Sequence, residues 1–130
     1  MKNVPSLRFP EFNDNWKQCK LSSLGTFFKG SSLSKEDLSE NGVPCILYGE
    51  LYTKYKEVIT KVYSFTNTRK NNLVIGYKND VLIPSSGETA IDIACASSLK
   101  IDNVLLGGDL NVFRPLKTVD GSFISYQLNH

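Results

Sequence analysis

The chain has 130 residues, the size of one domain rather than two. With 41% hydrophobic residues it can bury a core without disulfide or metal staples, and 22% charged residues with 11% aromatics exclude a disordered chain. A net charge of +2 excludes a histone-like polyanion coat, and no apolar run reaches the roughly 18 residues of a spanning helix.

Residues 1–12 contain no hydrophobic signal region, so a cytoplasmic protein with no membrane partner is expected. Cys19, Cys45 and Cys95 are odd in number and far apart, which suggests buried reduced thiols rather than a disulfide or zinc framework. The only histidine, His130, is the last residue, so the held imidazole of Ser–His or Cys–His chemistry is missing. Phosphate-cradling glycine loops are also missing. No cofactor, metal site or catalytic residue is implied, and the chain reads as a binder and not an enzyme.

Residues 1–15, with Pro5 and Pro10, read as an extended lead-in anchored by Phe9 and Phe12. Residues 16–24 read as a short strand and a helical turn ended by Gly25, and residues 26–29 are β-rich. A short helix starts at Ser34, whose hydroxyl can cap the Asp37 amide, and Asn41-Gly42 closes it. Residues 43–48 form a buried strand that releases at Gly49-Glu50 into a polar, aromatic stretch. Alternation over 56–62 predicts a strand with one wet face, and 66–72 a polar loop. Residues 80–83, 91–99 and 104–113 complete the β content, with a turn at Gly107-Gly108-Asp109. Phe123, Ile124, Gln127 and Leu128 have helical spacing, with Asp120 or Ser122 as cap. The fold class expected is α+β: a single domain with a curved mixed or antiparallel sheet and few short helices. The final helix stops after about two turns, which suggests a longer parent chain.

Four loops join strong strands and are rich in Gly, Ser, Thr and Asn: residues 29–34, 48–56, 85–89 and 107–111. Short polar side chains on relaxed backbones suit the reading of base edges in a groove. The same residues also dominate ordinary turns, for conformational reasons. Residues 54–78 carry six cations against Glu57 alone, a balance of +5, interleaved with tyrosines. Such a segment could follow a phosphate backbone, or be a solvated strand pair facing the acidic residues 80–109. Arg114, before Pro115 at a strand end, reads as structural. Trp16 reads as core, although with the tyrosines it leaves a ligand or glycan binder as a third reading.

The run VPSLRFPEF at 4–12, followed by Trp16, Leu21 and Leu24, resembles the start of specificity subunits of type I restriction–modification enzymes. KGSSLSKEDL at 29–38 and GVPCILYGELY at 42–52 are similar too. Residues 80–83 with Ser86-Gly87 look like the family's central strand and loop, GDLNVFRP at 108–115 like its closing strand, and 123–129 like the helix leading into its spacer. Such subunits carry two target recognition domains joined by helical spacers that bind methyltransferase subunits.

The resemblance implies a first recognition domain only. Residues 1–15 would be the lead-in, 16–119 the recognition domain, and 120–130 the start of a helix toward a spacer outside this chain. It implies double-stranded DNA as partner and, for the parent, methyltransferase and restriction subunits. Lys29, Lys54, Lys56, Arg69 and Lys70 would then contact phosphates. Ser31, Ser32, Tyr48, Glu50, Ser86, Glu88, Thr89, Asp109 and Asn111 would reach base edges, with carboxylates accepting from cytosine N4. Gly30, Gly87 and Gly108 would allow close backbone approach. The alternative is a protein-interaction or decoy module that engages restriction–modification subunits without reading DNA.

Overall fold

The structure, a computed structural model, describes residues 19–87 and 89–129. The lead-in with Phe9 and Phe12, Trp16, Glu88 and His130 lie outside the described residues. After a 3-10 turn at Leu21–Ser23 come β1 (Gly25–Lys29), a second 3-10 turn (Lys35–Asp37), β2 (Leu38–Ser39), β3 (Val43–Ile46), α1 (Glu50–Thr53) and β4 (Val58–Ile59). Then follow β5 (Ser64–Thr66), β6 (Val74–Gly76), β7 (Val81–Pro84), α2 (Ala90–Ile93), β8 (Ser97–Leu99), β9 (Val104–Leu106), β10 (Leu110–Pro115) and α3 (Gly121–Leu128).

The α+β class holds, but the strands divide between two five-stranded sheets. The first runs β1-β10-β7-β8-β4 and is antiparallel except at its β8–β4 edge. The second runs β2-β5-β3-β9-β6, with a parallel β3–β9 pair at its centre.

Successive side chains of a strand point to opposite faces, and both faces of the central strands are apolar. On β7 and β10, Leu82, Leu110 and Val112 face a core shared with Ile46, Val104 and Leu106 of the second sheet. Val81 and Phe113 face the other way, onto Ala96 and Ile124 of α3, with Leu21 and Leu24 alongside. On β3 and β9, Cys45 and Leu105 turn outward to Leu33 and Leu47. The core positions of these strands are apolar because both of their faces are covered there.

Helix α3 is set by close approach. The amide of Gly121 donates to Asn79 Oδ1 at 2.6 Å, and Asn79 Nδ2 donates to the Val119 carbonyl at 2.8 Å. A Cβ at Gly121 would lie 2.2 Å from the Asn79 carbonyl oxygen, so only glycine fits. Asp120 caps the helix by accepting from the Ser122 amide. At the far end the Asn129 amide group exchanges two hydrogen bonds with the backbone of Ala96, at 2.9 and 2.7 Å.

Several expectations need correction. Residues 91–99 are not one strand: 90–93 form α2, and β8 begins only at Ser97. Ile91, Ile93 and Cys95 alternate, but the two isoleucines face water and so report no strand face. The strand over 56–62 shrinks to Val58–Ile59. The helix at Ser34 is a single 3-10 turn, in which the Ser34 amide and hydroxyl both donate to the Asp37 carboxylate. Helix α1 and strand β6 stand where no element was expected. Of the three free thiols, Cys45 is buried, Cys95 half-buried and Cys19 exposed, against the expectation of three buried thiols.

Candidate nucleic-acid interface

The C-terminal ends of β1, β3, β7 and β9 and the start of β10 meet at one edge of the molecule. The register fixes this: Lys29 lies opposite Asn111, Asn111 opposite Ile83, and Leu110 opposite Pro84. The loops leaving these strands are knitted by backbone amides. Gly30 donates to the Leu110 carbonyl at 2.8 Å, Ser31 to Leu106 at 3.0 Å, Gly107 to Ile46 at 2.9 Å, and Ser85 to Asp109 at 2.9 Å. The Gly108 amide reaches the Leu33 carbonyl at 3.2 Å. Three of the four polar loops, 29–34, 85–89 and 107–111, are thereby held together.

This edge gathers Lys29, Ser31, Ser32, Ser86, Gly87, Gly108, Asp109 and Asn111. Lys29, Ser32 and Asp109 are exposed, while Ser86, Gly108 and Asn111 are half-buried. Ser31 spends its hydroxyl on the Leu106 carbonyl at 2.8 Å. Asp109 sits at φ 53°, in the left-handed region that aspartate tolerates better than most residues.

Other expected contacts acquire internal roles. Glu50 is only 8% exposed: one carboxylate oxygen accepts the Leu47 amide at 2.9 Å, and the other accepts the Ser64 hydroxyl at 2.7 Å. Burial and two satisfied oxygens give it a structural role inside the fold. Lys54 lies 3.7 Å from that carboxylate. Lys70 is a clasp, donating to the Ser32 carbonyl at 3.0 Å and to Asp37 at 2.9 Å. The hydrogen bond from Lys70, followed by that from the Ser34 amide, holds the Asp37 carboxyl below its ordinary range.

Thr89 is taken up in capping α2, where its hydroxyl accepts the Asp92 amide and its own amide donates to Asp92, each at 3.2 Å. The glycines also have internal packing roles. A Cβ at Gly30 would lie 1.9 Å from the Gly107 oxygen, and one at Gly87 would lie 2.9 Å from Asp92 Cβ. At both positions loop packs closely against loop.

The remaining cations spread outward from the edge. Lys56 precedes β4, its carbonyl accepting the Ser97 hydroxyl at the start of β8. Arg69 adjoins the Lys70 clasp. Lys29, Lys56 and Arg69 are exposed and form no ion pair with a described residue. Tyr48 is half-buried, its ring centre 6.5 Å from that of Tyr52.

At the opposite end, Arg114 grips Asp80 with Nε and Nη2, each at 2.8 Å, and lies over the rings of Phe28 at 4.7 Å and Tyr77 at 5.1 Å. The hydrogen bonds to Asp80 push the guanidinium pKa up further. A shallow depression of about 590 Å³ opens beside this pair, lined in part by Lys78 and Lys117. Among the described residues, no three His, Cys, Asp or Glu side chains are grouped to hold a metal, and no helix is long and apolar enough to cross a membrane.

No family model and no curated protein matches the sequence. Solved structures do match by fold. One is the HsdS subunit from Thermoanaerobacter tengcongensis, with a TM-score of 0.63 at 15% identity over 98% of this chain and 30% of that one. Another comes from work on complex assembly and conformational transition of the type I R-M system, with a TM-score of 0.62 at 16% identity and the same coverage. The chain thus spans 30% of the length of the solved chains it matches. Its fold is that of a segment of an HsdS subunit of a type I restriction–modification system.

Proposed function

We propose that the chain is a sequence-specific double-stranded DNA recognition module, without catalytic activity of its own, that reads one half of a bipartite target for a type I restriction–modification complex. The observation that carries this is the knitted loop edge. Backbone amides hold three loops in fixed relation, while Lys29, Ser32, Asp109 and Asn111 keep their side chains uncommitted among the described residues. A reader needs this separation, because scaffold bonds fix position and leftover side chains meet base edges. The fold likeness supplies the context: residues 16–119 would be the recognition domain, 120–130 would lead toward a spacer, and methyltransferase and restriction subunits would be the partners.

The energetics fit a half-site. A few base contacts at about 1–3 kcal/mol each discriminate a short sequence. A single small module covers roughly 600–1,000 Å². A net charge of +2 supplies little counterion release, so two modules on one spacer would gain through effective concentration. The reading as an interaction module draws support from α3, where Tyr126 and Leu128 are exposed.

The decisive experiment grafts residues 1–130 into a characterised specificity subunit in place of its matching segment and maps methylated bases genome-wide. A new half-site beside the unchanged second half is the expected result. A complex that assembles yet produces no new methylation overturns DNA reading in favour of the interaction module.

A further inference from the structure

The loop at residues 29–34 carries Ser32 at its apex. The Leu33 amide donates to the Ser31 carbonyl at 2.8 Å, which closes a three-residue turn around Ser32. Both neighbours of the apex are tied down. The Ser31 amide and hydroxyl donate to the Leu106 carbonyl at 3.0 and 2.8 Å, and the Leu33 carbonyl accepts the Gly108 amide at 3.2 Å. Ser32 itself is exposed, and among the described residues one group holds its carbonyl: the Lys70 ammonium, at 3.0 Å.

Lys70 reaches that carbonyl from 38 residues further along the chain, and hydroxyls place its backbone. Thr66, 1% exposed on β5, donates its hydroxyl to the Asp37 carbonyl at 2.6 Å. The Thr68 amide donates to the Thr66 hydroxyl at 3.1 Å, and the Lys70 amide to the Thr68 hydroxyl at 3.3 Å. The ammonium also donates to Asp37 Oδ2 at 2.9 Å, and that oxygen accepts the Ser34 amide at 3.0 Å. Lys35 and Glu36 on the 3-10 turn and Arg69 beside Lys70 are exposed and form no ion pair with a described residue. Among the described residues, Asp37 is thus the counter-charge of the clasp.

An ammonium has three protons, and two of these are spent inside the fold. The peptide that follows Ser32 is held at both ends by them and by the turn: its N–H by the Ser31 carbonyl, its C=O by Lys70. Without Lys70 only the bond across the turn remains. The direction of a side chain follows the peptide planes on either side of its Cα, so losing one hold frees the Ser32 hydroxyl to move. A charge-assisted hydrogen bond, about twice as strong as a neutral one, suits the task of preventing this.

We infer that Lys70 is a positioning residue for base choice: by holding the Ser32 carbonyl it fixes where the Ser32 hydroxyl meets a base edge. The inference rests on the DNA-reading proposal and deepens it. A phosphate contact strengthens binding to every sequence alike, whereas a positioned hydroxyl acts at one base.

The test uses the grafted subunit assembled with its methyltransferase, and duplexes that carry each of the other three bases in turn at every position of the new half-site. Ser32→Ala should reduce the preference at one position roughly 5-fold, the worth of one hydrogen bond. Lys70→Met should relax that same position to a similar degree, and the double variant should go no further, because Lys70 acts through Ser32. Lys70→Arg, which can still donate to both acceptors, should keep the preference. Asp37→Ala leaves the lysine its charge, yet should relax the same position in part.

Ser32 and Lys70 are exposed, so their variants keep the fold. Base preferences intact in Lys70→Met overturn the inference, whether the variant has a lowered melting temperature or a uniform loss of affinity with a smaller salt dependence. Relaxation at a position that Ser32→Ala leaves alone overturns it too. A complex that reads no new half-site defeats the DNA-reading proposal as well. One that reads a new half-site but ignores Lys70 defeats this inference alone.

Discussion

The two ends of the molecule are held together by different chemistry. At the Arg114 end, side chains do the joining: a two-point ion pair to a carboxylate 1% exposed, flanked by two aromatic rings. At the loop end, the backbone does most of it, through amide-to-carbonyl bonds between segments distant in sequence, with the Ser31 hydroxyl and the Lys70 clasp adding to them. An end tied by side chains cannot exchange them without losing stability. An end tied by the backbone can change its exposed side chains while the loops stay in place. The second arrangement suits a surface that must keep side chains free for a partner.

This contrast can be broken most forcefully at Asp80. Asp80→Ala would strand the Arg114 guanidinium and the Tyr77 amide, and should cost about 3 kcal/mol, read as a lowered urea midpoint. The half-site read by whatever remains folded should not change. Next comes Glu50, a scaffold residue set among candidate readers. Glu50→Ala should cost about 2 kcal/mol by orphaning the Leu47 amide and the Ser64 hydroxyl. A variant of full stability with an altered half-site would return Glu50 to the reading surface.

The buried tyrosine and thiol give a pH test of the core between these ends. Burial raises Tyr55 to about 12 and Cys45 to about 11, from ordinary values of 10.0 and 9.0. Both groups stay neutral in the fold while the unfolded chain ionises, so their stabilisation is complete below pH 9 and is lost as pH rises toward 12. Melting temperature should hold between pH 7 and 8.5 and fall by pH 10.5, and Cys45→Val should flatten the early part of that fall. The smallest effect sharpens the contrast from the loop side. Lys29→Ala and Arg69→Ala should each change stability by less than about 0.5 kcal/mol. Each should lower the salt dependence of DNA binding by about one phosphate contact and leave the half-site unchanged.

The sequence was most legible where one physical signal dominated. Val81 to Pro84 read as a strand because burial makes it continuously apolar, Leu110, Val112 and Phe113 because they are buried on both faces around the single polar Asn111, and the glycine-rich turn between β9 and β10 announced itself. Helix α2 was misread because period-two alternation looks the same whether it marks a buried face or a few isoleucines in water. The two-residue strand β2 exists only through its pairing with β5, so no local pattern reveals it, and alternation over 56–62 pointed to β4 but not to its two-residue length. The division into two sheets depends on Gly107 to Asp109 carrying the chain across from one sheet to the other, where a hairpin would look alike in sequence. At the site, loop membership was readable but commitment was not. Glu50 and Lys70 look like any loop charges until Ser64, Leu47, Asp37 and Ser32 are brought to them by distant strands.

The pairing of β1 with β10 joins Gly25 to Pro115, about 90 residues apart in the chain. On the ribosome, β1 must wait for its partner strand to be made. At synthesis rates of about 5–20 residues per second, that wait lasts on the order of 5–20 s. For that time Phe27 and Phe28 lack the strand that will receive them, and the parallel β3–β9 and β4–β8 pairs wait in the same way. Long-range and parallel pairings of this kind also slow refolding of the finished chain. Yield at high expression should therefore depend on synthesis speed and temperature more than on the stability of the finished fold.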